Sequence, residues 1–228
     1  MRDAGTASSQ VLAVLGDAAA GSAALELSST LARALQRGLS VVYVESASSL
    51  VAAALPFTQV LSHSGSRWVP LLPADVEQGF RAQAARLRQL AERIAVRDAL
   101  SWSLRVVRGS LPGAAIDLYA ESDLLLLAAN PSPWPSGGGP AHPPTHRPVV
   151  AVVTEASEAG QRALVIATRL AQALAAVLET SRIEPAANPI GPAGALAALA
   201  RSDVLVLPRA HVDPVALAML RCPVLLVG

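Results

Sequence analysis

Val11-Leu12-Ala13-Val14-Leu15-Gly16-Asp17 opens a pattern that returns as Val149-Val150-Ala151-Val152-Val153-Thr154-Glu155. Each is an unbroken apolar run that ends in a small residue followed by an acid. A helical stretch follows both, closing on Leu31-Ala32-Arg33-Ala34-Leu35 in one and Leu170-Ala171-Gln172-Ala173-Leu174 in the other. Ser122-Asp123-Leu124-Leu125-Leu126-Leu127 is likewise matched by Ser202-Asp203-Val204-Leu205-Val206-Leu207. A strand–helix–strand unit has been used twice. Apolar runs without alternation belong to strands covered on both faces, as in parallel sheets. The expected class is therefore α/β, with two tandem units, open parallel sheets and a shortened second unit. The boundaries fall at 1–133 for the first unit, 134–147 for a linker and 148–228 for the second.

Working outward, Gln10–Leu15 reads as the first strand. A helix from Gly21 to Arg37 follows, with Ala24, Leu27, Leu31 and Leu35 on one stripe and Gly38 as its stop. Leu39–Val44 is a second strand. The stretch from Ser46 to Pro73 reads as a loop with a short helix near Ser48–Leu55. Ala74–Val96 is an amphipathic helix whose core stripe is Val76, Phe80, Leu87, Leu90 and Ile94. Trp102–Val107, a helix over Pro112–Glu121 and Asp123–Ala128 complete the first unit. Asn130 to Pro148 holds seven prolines and three consecutive glycines, the composition of a linker. The second unit is expected to hold a helix over Ser157–Leu174, a strand over Ala176–Thr180 and a helix over Ala193–Arg201. Asp203–Leu207, a helix over Pro214–Arg221 and Pro223–Val227 close the chain. The first unit lacks a closing strand of its own. Its edge is expected to be completed by the second unit or by another chain.

Composition excludes several function classes. The net charge of +1 gives no strong pull toward nucleic acid or an anionic membrane, and 3% aromatics argue against a base-stacking platform. Arg81, Arg86, Arg88, Arg93 and Arg97 are interleaved with Glu77, Glu92 and Asp98, as on a solvated helix face. All 18 basic residues are Arg. Without lysine, a G-K-[ST] phosphate loop, a Schiff-base enzyme and the usual protein-kinase site are excluded in their standard forms. Cys222 is the only cysteine, which is consistent with a cytoplasmic location. His63, His142, His146 and His211 show no metal-ligand spacing, and the prolines around His142 and His146 bar a helix there. The first ten residues lack a signal-peptide core, and no apolar run approaches the length that spans a bilayer.

Val107-Arg108-Gly109-Ser110-Leu111-Pro112, followed by Ile116, Ala120 and Asp123-Leu124-Leu125-Leu126-Leu127, resembles the third-to-fourth-strand region of universal stress proteins. Cys222-Pro223-Val224-Leu225-Leu226-Val227 resembles that family's closing strand. The resemblance runs over most of the chain as a tandem pair. It implies Rossmann-like units, each a twisted five-stranded parallel sheet with helices on both faces, often paired through the final strand. It further implies, for members that bind nucleotide, an Asp at the end of the first strand against adenine. Gly16 and Thr154 stand there in this chain, with Asp17 and Glu155 one residue on. Those members also carry a G-x-x-G, nine residues, G-[ST] loop after the fourth strand, whose N–H groups cradle phosphates. Here Leu127 is followed by Ala128-Ala129-Asn130-Pro131-Ser132-Pro133-Trp134-Pro135, and proline has no N–H to offer. Leu207 is followed by Pro208-Arg209-Ala210-His211-Val212-Asp213, also without glycine.

Ligands in parallel sheets bind beyond the carboxyl ends of the strands. The candidate ligand-binding residues there are Gly16, Asp17, Val44, Gly109, Ser110 and Asn130, with Glu45 beside them. Gly109-Ser110 precedes a helix and could receive an anion; a plain cap is the competing reading. The second unit offers Thr154, Arg209 and His211, with Glu155, Ser181 and Asp213 nearby. No G-x-S-x-G elbow, nucleophile–base pair or catalytic motif is present. The expected function is that of a non-catalytic, cytoplasmic stress-response regulator acting by dimerisation or partner binding, with no cofactor and without standard ATP binding. The alternative is a sensor of an adenine-like small ligand that uses the first unit alone.

Overall fold

The computed structural model describes residues 10–16, 18–61, 67–118, 121–128, 147–182, 202–209 and 222–228. In chain order the elements are β1 (Gln10–Leu15), α1 (Ala18–Leu35), β2 (Gly38–Ser46), α2 (Ala47–Ala53), β3 (Gln59–Leu61) and β4 (Trp68–Pro70). They continue with α3 (Pro73–Asp98), β5 (Trp102–Gly109), α4 (Leu111–Leu118), β6 (Leu124–Leu127) and β7 (Val149–Thr154). Last come α5 (Glu158–Ala173), β8 (Val177–Arg182), β9 (Val204–Pro208) and β10 (Val224–Val227). The helices expected over Ala193–Arg201 and Pro214–Arg221, and the linker up to residue 146, lie outside the described residues.

Eight strands form one sheet in the order β5-β2-β1-β6-β10-β9-β7-β8, which makes the fold a Rossmann-type α/β arrangement. Every neighbouring pair is parallel except β6 and β10, which run antiparallel with Val224 opposite Leu127 and Val227 opposite Leu124. β10 is parallel to β9 on its other side, Val224 facing Leu205. The closing strand thus completes the edge of the first strand set, as the missing fifth strand requires. The two strand sets share one sheet, and they point in opposite directions along it.

The central strands are buried on both faces, which explains their unalternating apolar runs. Val11, Ala13, Leu15, Val41, Tyr43, Val150 and Val152 point to the face covered by α1, α3 and α5. Leu12, Val14, Val42, Val44, Leu125 and Leu127 point to the opposite face, where α4 packs through Ala115 and Leu118. α1 lies between α3 and α5, so one helical layer crosses the joint between the two strand sets. The α1 stripe buries Ala24, Leu27 and Leu31, and the α3 stripe buries Leu87 and Ile94 with Phe80 and Leu90 packed beside them. Tyr43 keeps its ring in this core and donates its hydroxyl proton to Gln83 Oε1 at 2.6 Å.

Gly38 does not stop α1. Gln36 makes the left-handed turn with φ of 54°, Arg37 N donates to Ala32 O at 2.8 Å, and Gly38 already belongs to β2. α3 and α5 end the same way: Ala99 and Ala175 hold φ of 51° and 50°. Leu100 N bonds Ala95 O at 2.9 Å and Ala176 N bonds Ala171 O at 2.8 Å. These are six-to-one closures of the Schellman kind, built without glycine. Gly38 serves packing instead, since a Cβ there would lie 2.6 Å from Ser101 Oγ.

The stretch read as a loop between the short helix and α3 contains a separate antiparallel hairpin, β3–β4, pairing Leu61 with Trp68, Val60 with Val69 and Gln59 with Pro70. Strands of three residues are too short to leave a periodic signal. α4 covers Leu111–Leu118, starting one residue before the expected proline.

Candidate functional site

The antiparallel joint divides the candidate residues between opposite ends of the sheet. Gly16, Val44, Gly109 and Ser110 lie at the carboxyl ends of β1, β2 and β5. Thr154 and Arg209 lie at the carboxyl ends of β7 and β9, which the β6–β10 register places beside the beginning of β6. Asp17, Asn130, His211 and Asp213 lie outside the described residues.

At the first end, a groove of about 280 Å³ runs between β5 and α4. It brings Gly109 and Ser110 together with Arg105, Arg108, Asp117 and Glu121. Arg105, Arg108 and Glu121 are held in ion pairs. Arg105 reaches Glu121 with Nη2 at 2.7 Å and Nη1 at 3.4 Å. Arg108 donates to Glu45 Oε2 through Nη2 at 3.1 Å and Nε at 3.3 Å, across directly opposed positions of β2 and β5.

The start of α4 is largely spent as an anion site. Ser110 Oγ accepts the Gly113 N–H at 3.1 Å, and Ser110 O accepts the Ala114 N–H at 2.9 Å. Pro112 has no N–H. At most the Leu111 N–H of that turn remains for an incoming anion. Ser110 is thus a helix cap, and a Cβ at Gly113 would stand 2.8 Å from its hydroxyl oxygen. Leu111 also turns back over β1: its side-chain carbons lie 3.8 Å from where a Gly16 Cβ would be. Val44 is 2% exposed and its side chain belongs to the core.

At the second end, Thr154 Oγ1 donates to Ser181 O at 3.4 Å. Ser157 caps α5, accepting the Gly160 N–H at 3.0 Å, while its own hydroxyl donates to the Glu155 carboxylate. The helix start is pressed onto the end of β7, since a Cβ at Gly160 would fall 2.4 Å from Glu155 O. Arg209 is half-buried, and its Nη2 donates to Ser122 O at 2.8 Å.

The repeated Ser-Asp pairs have a local explanation. Ser122 Oγ donates to Gln10 O at 3.0 Å, and in the second set Asp203 Oδ2 accepts the Val149 N–H at 2.8 Å. Each pair ties the start of β6 or β9 to the start of the neighbouring β1 or β7, at the opposite end from the carboxyl termini of those same strands. Cys222 is 5% exposed with its Sγ 4.0 Å from Ser202 Oγ, and burial raises its thiol pKa. A thiol held protonated in this way is a poor nucleophile.

Sequence reading did not reach Arg105, Asp117 and Glu121. Arg105 lies on β5 and Glu121 in the turn after α4, sixteen residues apart, so no local spacing links them.

Among solved structures, the chain is similar to a universal stress protein from Archaeoglobus fulgidus, with 9% identity over 95% of this chain and 96% of that one and a TM-score of 0.43. No family model matches the chain. No curated protein matches it. No helix among the described residues is long and apolar enough to cross a membrane.

Proposed function

We propose that this chain is a non-catalytic regulator of the universal-stress-protein type, cytoplasmic, acting through dimerisation or partner binding rather than through standard ATP binding. The observation that carries this reading is the state of the first carboxyl end. Leu111 occupies the space beside Gly16, and the α4 turn has spent its donors on Ser110. The prolines after Leu127, which lack the N–H groups a phosphate cradle needs, support it further. At the other end, Arg209 is engaged with the Ser122 carbonyl and Gly160 locks α5 against Glu155.

The test is mass spectrometry of small molecules released from freshly purified, denatured protein, joined to calorimetric titration with ATP. The expected result is no stoichiometric nucleotide and no saturable binding below about 1 mM, a regime worth only about 4 kcal/mol. A stoichiometric nucleotide would overturn the reading.

The groove between β5 and α4 favours a second reading, a sensor of a small ligand on the first strand set. Its volume, about 280 Å³, is near the lower end for ligand pockets. Thermal-shift screening of adenosine and related small molecules checks it. A shift that Asp117→Ala removes would support the sensor, and no shift at millimolar ligand would exclude it.

A further inference from the structure

Among the described residues, more than half of the exposed large apolar side chains fall between Val51 and Leu72: Val51 (66%), Leu55 (44%), Phe57 (76%), Val60 (37%), Leu61 (50%), Trp68 (63%) and Leu72 (55%). The hairpin register organises them. Leu61 opposes Trp68 and Gln59 opposes Pro70. Leu71 N donates to Thr58 O at 3.0 Å, which extends the ladder by one step and sets Phe57 opposite Leu72. These alternate pairs share one face of the ribbon, and all six residues on it are exposed. On the other face Val69, Thr58 and Leu71 are half-buried, and Val60 is exposed at 37%. The hairpin is therefore apolar on the wrong side for a structure that only shields the core. A two-stranded ribbon of this length is marginal in water by itself.

We propose that this outer face is a two-fold interface through which two copies of the chain associate. The inference rests on the dimerisation part of the reading above and names the surface for it; nucleotide binding can overturn that reading while leaving this interface intact. Three features point to a second copy as the occupant. Phe57, Leu61, Trp68 and Leu72 alone leave on the order of 500 Å² exposed per copy, the larger part of the ~800 Å² per partner of a standard interface. From Ser46 to Leu72 the only formally charged residue is Arg67, so a two-fold axis brings no row of like charges together. The ladder is also self-complementary. A two-fold axis along the strands lays Trp68 on Leu61 and Phe57 on Leu72 of the other copy. An axis across them lays Phe57 on Leu61 and Trp68 on Leu72. Either way each aromatic ring meets a leucine, as the depletion of charge and enrichment of aromatics at interface centres requires.

Sedimentation of the full chain over a concentration series tests this, with Phe57→Asp and Trp68→Ser as interface variants. Val96→Asp is the control, because Val96 is 77% exposed near the far end of α3. The wild type and Val96→Asp should dimerise at micromolar concentration, and each interface variant should weaken dimerisation by about a hundredfold. Circular dichroism and a thermal midpoint matching the wild type, compared at dilutions where every protein is monomeric, would show that the variants fold. A monomer at 100-fold higher concentration, on the order of 100 µM, would overturn the proposal. So would a dimer indifferent to both variants, or a monomer that binds phosphatidylcholine vesicles through Trp68.

Discussion

Arg209 Nη2 donates to the backbone carbonyl of Ser122 at 2.8 Å, tying the end of β9 to the turn that precedes β6. This bond crosses between the two strand sets and exists only because β10 runs against β6. Arg209→Ala removes a charge-assisted bond from a half-buried carbonyl, and the expected loss is about 1–2 kcal/mol. Urea unfolding measures it. A loss below about 0.3 kcal/mol would show that the bond does not hold the joint.

Heat should unfold the chain in one transition. β10 is paired on both sides, Leu225 is fully buried, and α1 packs on α5 across the joint. Leu225→Ala should lower stability by about 2–5 kcal/mol and lower the single midpoint. Calorimetry resolving two separate transitions would contradict a shared core.

Two glycines should respond in opposite directions. Gly79 lies inside α3 with nothing within 4 Å of where an alanine methyl would sit, so Gly79→Ala should stabilise by about 0.5–1 kcal/mol. Gly160→Ala would put its Cβ 2.4 Å from Glu155 O and 2.7 Å from Glu155 N, both backbone atoms that cannot swing away. Overpacking there should cost about 1–3 kcal/mol despite the better helix former. Equal effects of the two changes in urea would refute this account.

Ala99 and Ala175 invite the reverse exchange. Both sit in the left-handed region, with φ of 51° and 50°. An L side chain there is unfavourable by about 1–2 kcal/mol, which glycine escapes. Ala99→Gly and Ala175→Gly should each raise stability by roughly 0.5–1 kcal/mol after the entropy of the unfolded glycine is counted. Destabilisation by either would mean that the methyl group packs usefully.

Asp98 links α3 to α1. Its side chain is 4% exposed and meets Arg97 Nη2 at 2.8 Å and Arg33 Nη1 at 3.3 Å. The Arg97 hydrogen bond, ahead of smaller contributions from Ser29 and Arg33, holds the carboxyl at about 2, below its ordinary 3.8. A lowered native pKa adds stability above the unfolded value, and the gain is lost as pH falls from about 4 toward 2. Asp98→Asn should therefore lose on the order of 1 kcal/mol at pH 7, limited by solvent around the two arginines. Near pH 2 the variant and the wild type should converge. A gap that stays constant down to pH 2 would rule out the charge as its origin.

Most of the strands and long helices were legible as local patterns. Val11–Leu15, Val149–Val153 and the two Ser-Asp runs are buried strands because nothing polar interrupts them. α1 and α3 show their core stripes at helical spacing. The helix stops were not legible, because Gln36, Ala99 and Ala175 take a conformation that is usually glycine's. The groove was only half legible: Gly109 and Ser110 are adjacent in the chain, whereas Arg105 and Glu121 meet only when α4 folds back along β5.

By itself the sequence determined the α/β class, the repeated strand–helix–strand pattern and the need for some strand to close the first set. These follow from side-chain periodicity and from a missing element, both of which are properties of the chain order. Only the tertiary structure decided that β10 closes the first set by running antiparallel to β6. Strand direction across a joint depends on how two distant segments meet, and no local residue pattern encodes it. That one choice sent the two candidate ends to opposite sides of the molecule and turned Arg209 toward Ser122. The outward face of the β3–β4 ribbon was settled in the same way, by cross-strand register between residues that the sequence keeps apart.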